Sequence, residues 1–130
     1  MDFSRYVGLP WTSGGRSFDG IDCWGLVWLF YRHEKSIEIP DYSEAYDDAT
    51  DRERISGLMT SGVVSWVEVP AMHGAVALMR RGRAPSHVGI VAPGRKLLHI
   101  ESTTGLSCIA PITADIERRT IGHFLLRSEL

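Results

Sequence analysis

A chain of 130 residues, 44% hydrophobic and carrying four tryptophans, can bury the core of one compact domain, residues 1–130, without help from a metal or a disulfide. A formal net charge of −2 leaves no electrostatic footprint for nucleic acid or an anionic membrane, and no segment approaches the roughly 20 apolar residues that membrane insertion requires. Two cysteines permit one bridge, yet both are expected to be reduced, because pairing Cys23 with Cys108 would consume the thiol on which the functional reading depends.

The first residues, Met1 to Gly8, lack the basic start and apolar core of a signal peptide, so synthesis in the cytoplasm without export by the usual route is expected. An early aromatic loop holds Trp11, read as hydrophobic packing with its indole N–H as an alternative donor to an oxyanion. Gly14, Gly15 and Gly20 then suit a turning approach to Asp22, an N-cap residue type. From Cys23 to Tyr31 the chain is almost wholly apolar, which predicts a helix buried on most sides. Cys23 begins it. A cysteine in a first helical turn meets free backbone N–H groups and the positive end of the macrodipole, both of which favour thiolate over thiol. The competing interpretation is a small buried hydrophobe in a core helix. His33 at the far end suits the dipole as a cation.

Ile39-Pro40-Asp41 breaks the pattern, and the polar segment through Asp51 is expected to be a surface excursion near the cleft. Arg52 to Ser61 has helical periodicity in Ile55, Leu58 and Met59, with Gly62 as the stop. From Val63 onward strands are predicted at Trp66 to Val69, Gly74 to Met79, Ser86 to Ala92, Lys96 to Ile100, Leu106 to Ala110 and Ile121 to Leu126. Helices first and an antiparallel sheet afterwards make an α+β plan. The basic cluster Arg80-Arg81-Gly82-Arg83 is read as a solvated loop, with contact to carboxylates as the alternative. Cys108 is read as a buried strand residue, and His73 and His123 are assigned no catalytic role.

Pro93-Gly94-Arg95 between two short apolar stretches predicts a hairpin. With a three-residue loop of Ala92 to Gly94, Val91 pairs with Arg95 and His87 falls directly opposite His99. Opposed residues share a sheet face with Cβ atoms roughly 5 Å apart, so two imidazoles meet on one surface. Gly89 lies on that same face and leaves room for a substrate or a helix. With this face packed against the start of the Cys23 helix, the arrangement becomes nucleophile, general base at His87 and orienting residue at His99.

At these residues the chain resembles the NlpC/P60 family of papain-like cysteine peptidases, especially the versions carried by phage tails. The resemblance rests on Trp11, Gly14-Gly15, Asp22-Cys23-Trp24-Gly25-Leu26-Val27, His87-Val88-Gly89-Ile90 and His99, in order and spacing through most of the chain. It implies a papain-like NlpC/P60 fold, with the nucleophile at the N-terminus of a buried helix packed on an antiparallel sheet. It also implies a catalytic triad of Cys23, His87 and His99, with no cofactor or metal. The implied reaction cleaves peptide bonds in peptidoglycan stem peptides, commonly next to D-glutamate, with Asp22, Trp11 and Trp24 placed near the substrate. Many relatives carry tyrosine where Trp11 stands and serine where Trp24 stands, and Gly74-Ala75 replaces a frequent Gly-Asp. The absence of a leader sequence is reconciled with a wall substrate if tail proteins carry the chain, which places it in a virion tail. Three other readings compete: a non-catalytic tail or assembly subunit that keeps the fold, an amidase acting on a non-wall γ-glutamyl compound, and a zinc site built from Cys23, His87 and His99, with Cys108 as an optional fourth ligand.

Overall fold

Asp22 caps the helix around which the fold is built. In the computed structural model, which describes residues 1–41, 65–81 and 84–130 apart from the side chains of 84–86, helix α1 spans Cys23–Phe30. The Asp22 carboxylate accepts the Gly25 N–H at 2.7 Å, closing the first turn from the side chain. Beyond Phe30 the hydrogen-bonding widens into a π turn over Tyr31–Lys35, which ends at Ser36 in a left-handed conformation. Cys23, Trp24, Leu26, Val27, Leu29 and Phe30 are all buried, so α1 has no polar face, as its sequence predicts. Removing each large side chain from water contributes about 1.5–3 kcal/mol, which outweighs the weak helix propensity of so short a segment. Gly25 lets the upstream loop close over the helix: a Cβ there would lie 2.1 Å from the Gly15 carbonyl oxygen.

Strands β1 (Arg16–Ser17) and β2 (Gly20–Ile21) form a small hairpin immediately before α1. The remaining strands are β3 (Trp66–Val69), β4 (Val76–Arg81), β5 (Ala84–Ala92), β6 (Lys96–His99), β7 (Cys108–Pro111) and β8 (Thr120–Leu126). They make a six-stranded sheet in the order β3-β8-β4-β5-β6-β7 with antiparallel pairing throughout. The α+β plan therefore holds: a buried helix first, then an antiparallel sheet. Among the described residues, the small β1–β2 hairpin before α1 and a helix late in the chain depart from it. Helix α2 (Ala114–Arg119), capped by Thr113, lies between β7 and β8. The polar segment after Asp41, the helix expected at Arg52 to Ser61, and Arg83 lie outside the described residues.

The sheet is apolar on both faces. Val76, Leu78, Val88, Ile90, Ala92, Leu98, Ile100 and Leu126 pack with α1 in the main core. Ala77, Met79, Val91 and Leu97 form a second cluster beneath Ile112 and Ile116, the latter on α2. Alternation along a strand explains the division, since neighbours in sequence point to opposite faces.

The β5–β6 hairpin corrects the predicted register. Ala92 pairs with Lys96, Val91 with Leu97 and Ile90 with Leu98, so the loop is Pro93 to Arg95. Gly94 and Arg95 take positive φ, and a turn that places these two in the left-handed region moves the loop one residue along the chain. His87 is therefore not opposite His99; continued by one pair, the register sets His99 against Gly89. Because the slip changes the pairing by two residues, it preserves sidedness, and both histidines still share a face. That face is not the one packed on α1. The helix-facing residues are Val88, Ile90, Leu98 and Ile100, and His87 and His99 alternate with them.

Candidate active site

The pairing of β5 with β6 stops at Ile90, although β5 itself runs back to Ala84. Val91 donates its N–H to Ala75 on the β4 side at 2.9 Å. By antiparallel alternation, Gly89 and His87 turn their amides toward β4 and Val88 turns its amide toward β6, where no strand partner follows among the described residues. The start of α1 reaches this edge. Backbone N–H groups of Val88 and Trp24 support the Cys23 sulfur. The thiol thus meets β5 along its unpaired edge, next to His87 in the chain, rather than across the sheet face.

His87 is buried, and its Nε2 lies 3.2 Å from His99 Nδ1, with the rings edge to face at 73°. One of these nitrogens must donate and the other accept. Burial holds His99 below the usual histidine range, while the nearby Glu101 carboxylate pulls it back up. A neutral His99 can accept at Nδ1 from His87 Nε2–H, and that tautomer leaves His87 Nδ1 as a lone pair able to take a proton. Gly89 makes this contact possible. A Cβ on it would lie 2.8 Å from the Leu98 carbonyl oxygen and 3.1 Å from His99 Cβ, so the vacancy admits β6 rather than a substrate.

Cys23 itself departs from the expectation of an intrinsically acidic thiol. Complete burial pushes it up to about 11, the adjacent Asp22 carboxylate pushes the same way, and the Val88 and Trp24 amides and Arg81 oppose them only in part. Desolvation of an anion outweighs what the positive end of an eight-residue helix supplies. Burial therefore makes the thiol depend on a base rather than on the helix end alone.

Asp22, Trp11 and Trp24, expected near a substrate, are placed differently from one another. The Asp22 carboxylate has no exposed surface and accepts from Gly14 N at 2.8 Å, Gly25 N at 2.7 Å and Arg16 Nη1 at 2.8 Å. These bonds tie the glycine loop to α1 and give the residue a structural duty. Trp24 is a core residue: 1% exposed, it packs edge to face on Trp66 and donates Nε1–H to the Pro40 carbonyl at 3.0 Å. Trp11 is half-buried against the main core and bridges Ile21 through its backbone.

Two charged residues escape a reading of the sequence alone. Arg81 Nη2 pairs with Glu101 Oε1 at 2.8 Å, and the same oxygen lies 4.0 Å from His87 Nε2. Arg81 hides in a basic run, and Glu101 follows the strand that carries His99; its spacing of two from His99 was the available signal. His87, His99 and Glu101 bring ligand-type atoms within 4.8 Å of one another. Glu101 is already held by the Arg81 guanidinium, which a metal ion would have to displace, so the trio is a poor metal site. Cys108 is paired with His99 across β6 and β7 and belongs to a different edge from Cys23. His33 meets Phe18 in a tilted ring contact, and His73 and His123 line a groove of about 700 Å³ on the α2 side of the sheet.

A buried thiol at a helix start, an edge amide aimed at its sulfur and a hydrogen-bonded imidazole pair can carry out nucleophilic acyl chemistry. Comparison with known proteins agrees on the fold. The NlpC/P60 family model matches residues 8–124. The NlpC/p60 domain of the peptidoglycan hydrolase SagA superposes with a TM-score of 0.61 at 16% identity, covering 95% of this chain and 91% of that one. An NlpC/P60 family protein from Bacillus cereus gives 0.63 at 20% identity over 93% of this chain and 36% of its own length. The P60 domain of a M. avium subspecies paratuberculosis antigen gives 0.61 at 15% identity over 94% and 86%. A comparison with curated proteins found no match.

Proposed function

Since the chain belongs to the NlpC/P60 family, we propose that it is a cysteine hydrolase that cleaves peptide bonds of peptidoglycan stem peptides, with D-glutamyl linkages as the preferred class. The observation that carries this reading is the meeting of Cys23, at the start of α1, with the unpaired edge of β5 beside the His87–His99 pair. The similarity in fold to the domain of SagA, a peptidoglycan hydrolase, supports the substrate class.

In this proposal His87 Nδ1 takes the proton from Cys23 Sγ as sulfur bonds to the carbonyl carbon. Negative charge moves to the carbonyl oxygen, where backbone N–H groups of the first turn of α1 are the nearest stabilising donors. The His87 imidazolium then gives its proton to the leaving amine, and water resolves the acyl-enzyme with the proton flow reversed. His99 accepts from His87 Nε2–H throughout and keeps Nδ1 directed at the thiol. Carriage by a phage tail is part of the same proposal, supported by the likeness of the Asp22-Cys23 and His87-Val88-Gly89-Ile90 motifs to tail-borne members; detection of the chain in purified virions tests it.

The deciding experiment is mass spectrometry of stem peptides and intact sacculi incubated with the wild type and with Cys23→Ala. Cleavage by the wild type alone establishes the cysteine hydrolase and identifies the bond. Absence of cleavage by either protein favours the non-catalytic subunit.

A further inference from the structure

The proposed triad leaves unused the ion pair beside it. Arg81 ends β4, just past the bulge between Met79 and Arg80, and Glu101 follows β6. Their side chains are only 18% and 25% exposed, and they meet at 2.8 Å. Two charged residues withdrawn from water on the histidine side of the hairpin need a reason beyond surface solubility, because an ordinary exposed pair is worth little.

We propose that Arg81 and Glu101 are positioning residues that hold the Cys23–His87 couple in its charge-separated form, with Glu101 facing the imidazolium and Arg81 favouring the thiolate. The inference rests on the cysteine hydrolase reading above and adds to it. Geometry assigns Glu101 to the ring and ties Arg81 to Glu101. Glu101 Oε1 lies 4.0 Å from His87 Nε2, close enough to favour a positive ring without displacing the His99 hydrogen bond at 3.2 Å. Arg81 supplies the compensating positive charge, and its field favours ionised Cys23 while opposing a proton on His99. The proton that leaves Cys23 is thereby directed to His87 rather than to its neighbour. Proton transfer is the whole step: the S–H bond breaks, the Nδ1–H bond forms, and no other reactant takes part. A thiol that burial makes a weak acid needs such a pair, because the charges it creates must be met by charges already in place.

Among the described residues, the other ionisable groups acting on the couple include Asp22, which opposes the thiolate; Arg119, which opposes a proton on His99; and Cys108, which faces His99 from β7. Arg119 carries the sign opposite to Glu101, so the Glu101 and Arg81 variants are compared with Arg119 left in place.

The test is the pH dependence of Cys23 alkylation by neutral iodoacetamide, followed on the Cys23 peptide by mass spectrometry so that Cys108 does not contribute. A thiolate–imidazolium couple gives a rate that rises through one pH limb and changes again as the ring deprotonates. Glu101→Gln removes the anion beside the ring and is expected to move the alkaline limb down by about 0.5–1 pH unit, with about a 3- to 10-fold loss of turnover near neutrality. Arg81→Gln removes the cation and is expected to move the acid limb up by about the same amount. Glu101→Asp should restore part of the Glu101 shift. Opposite movements in variants with wild-type melting temperatures establish the role, because a purely structural ion pair would change stability and leave the limbs in place. If neither limb moves, or both variants shift the profile in the same direction, the inference is overturned. If the wild type instead shows a single rise that His87→Ala leaves unchanged, no couple exists, and the hydrolase reading falls together with the inference.

Discussion

At the turn end of the β5–β6 hairpin, Ile90, Val91 and Ala92 pair with Leu98, Leu97 and Lys96, and every one of these residues but Lys96 is buried. At the other end the strands separate after Ile90, the Val88 amide turns to the Cys23 sulfur, and His87 and His99 meet through their rings instead of through ladder bonds. The two ends have the same alternation of side chains, yet one closes the core and the other holds the proposed reactive centre. What differs is where the backbone hydrogen bonds go. A buried amide released from a ladder needs another partner, and the start of α1 supplies it. Stability and chemistry are thus assigned to adjacent stretches of one hairpin, which makes them separable by substitution.

The sharpest separation is expected at His99. His99→Ala removes the acceptor for His87 Nε2–H and lets the ring turn, so cleavage of stem peptides should fall by about 100- to 10,000-fold. Iodoacetamide labelling of Cys23 at neutral pH should slow in parallel, while the turn end keeps its pairing. A variant that cleaves at the wild-type rate would remove His99 from the site and leave only the closed end with an assigned role.

Asp22→Asn acts on the helix that serves the open end. It breaks a buried ion pair to Arg16 at 2.8 Å and should lower stability by about 3 kcal/mol, measured by urea unfolding. Its second effect has the opposite sense for reactivity. Asp22 is one of the causes that raise Cys23 to about 11, so neutralising it lowers that value and increases the thiolate fraction at any pH below it. Labelling of Cys23 on the acid limb of its pH profile should therefore speed up in the folded variant even as its unfolding midpoint drops. Slower labelling would show that the capping geometry, not the charge, governs the thiol.

The same division accounts for what could be read from the sequence. The apolar run from Cys23, the strand at Trp66–Val69 and the two histidine strands were legible because burial imposes a period that composition records. The one-face placement of the histidines survived an incorrect register, since period two tolerates a slip of two. The register itself depends on Gly94 and Arg95 adopting positive φ, and Pro93-Gly94-Arg95 fits more than one loop alignment. Helix α2 was missed because six residues with Ile116 packed on the sheet leave almost no periodic signal. Arg81 and Glu101 come from different strands, and Trp24 turns into the core where a substrate contact was expected; such meetings are set by tertiary packing, which no local pattern records. The acidity expected of Cys23 is opposed for a related reason: the helix start was visible in the chain, but the burial that opposes it was not.

Gly89 joins the two ends, and Gly89→Ala should therefore affect both. An added methyl group would meet the Leu98 carbonyl oxygen at 2.8 Å, Leu97 Cδ1 at 3.0 Å and His99 Cβ at 3.1 Å. Two of these contacts are on or next to backbone and cannot swing away, so β6 must shift. The expected cost is about 1–3 kcal/mol, together with a loss of turnover as His99 withdraws from His87. Equal melting temperatures with reduced turnover would mean that β6 yields only at its open end.

Gly94 isolates the closed end. Its φ is +81°, and a Cβ there would meet nothing nearer than Lys96 Cε at 4.0 Å, so Gly94→Ala introduces backbone strain without a collision. The penalty for a residue other than glycine in this region is about 1 kcal/mol, enough to lower the melting temperature by a few degrees in a domain of this size. The turn lies beyond three ladder pairs from the histidines, and those pairs are anchored on both faces by Ile90, Val91, Leu97 and Leu98. The strain should therefore be absorbed before it reaches Gly89, leaving turnover and the pH profile of Cys23 labelling unchanged. A shift in either would show that the turn sets the separation of the strands at the open end, and that the hairpin works as one lever rather than two independent halves.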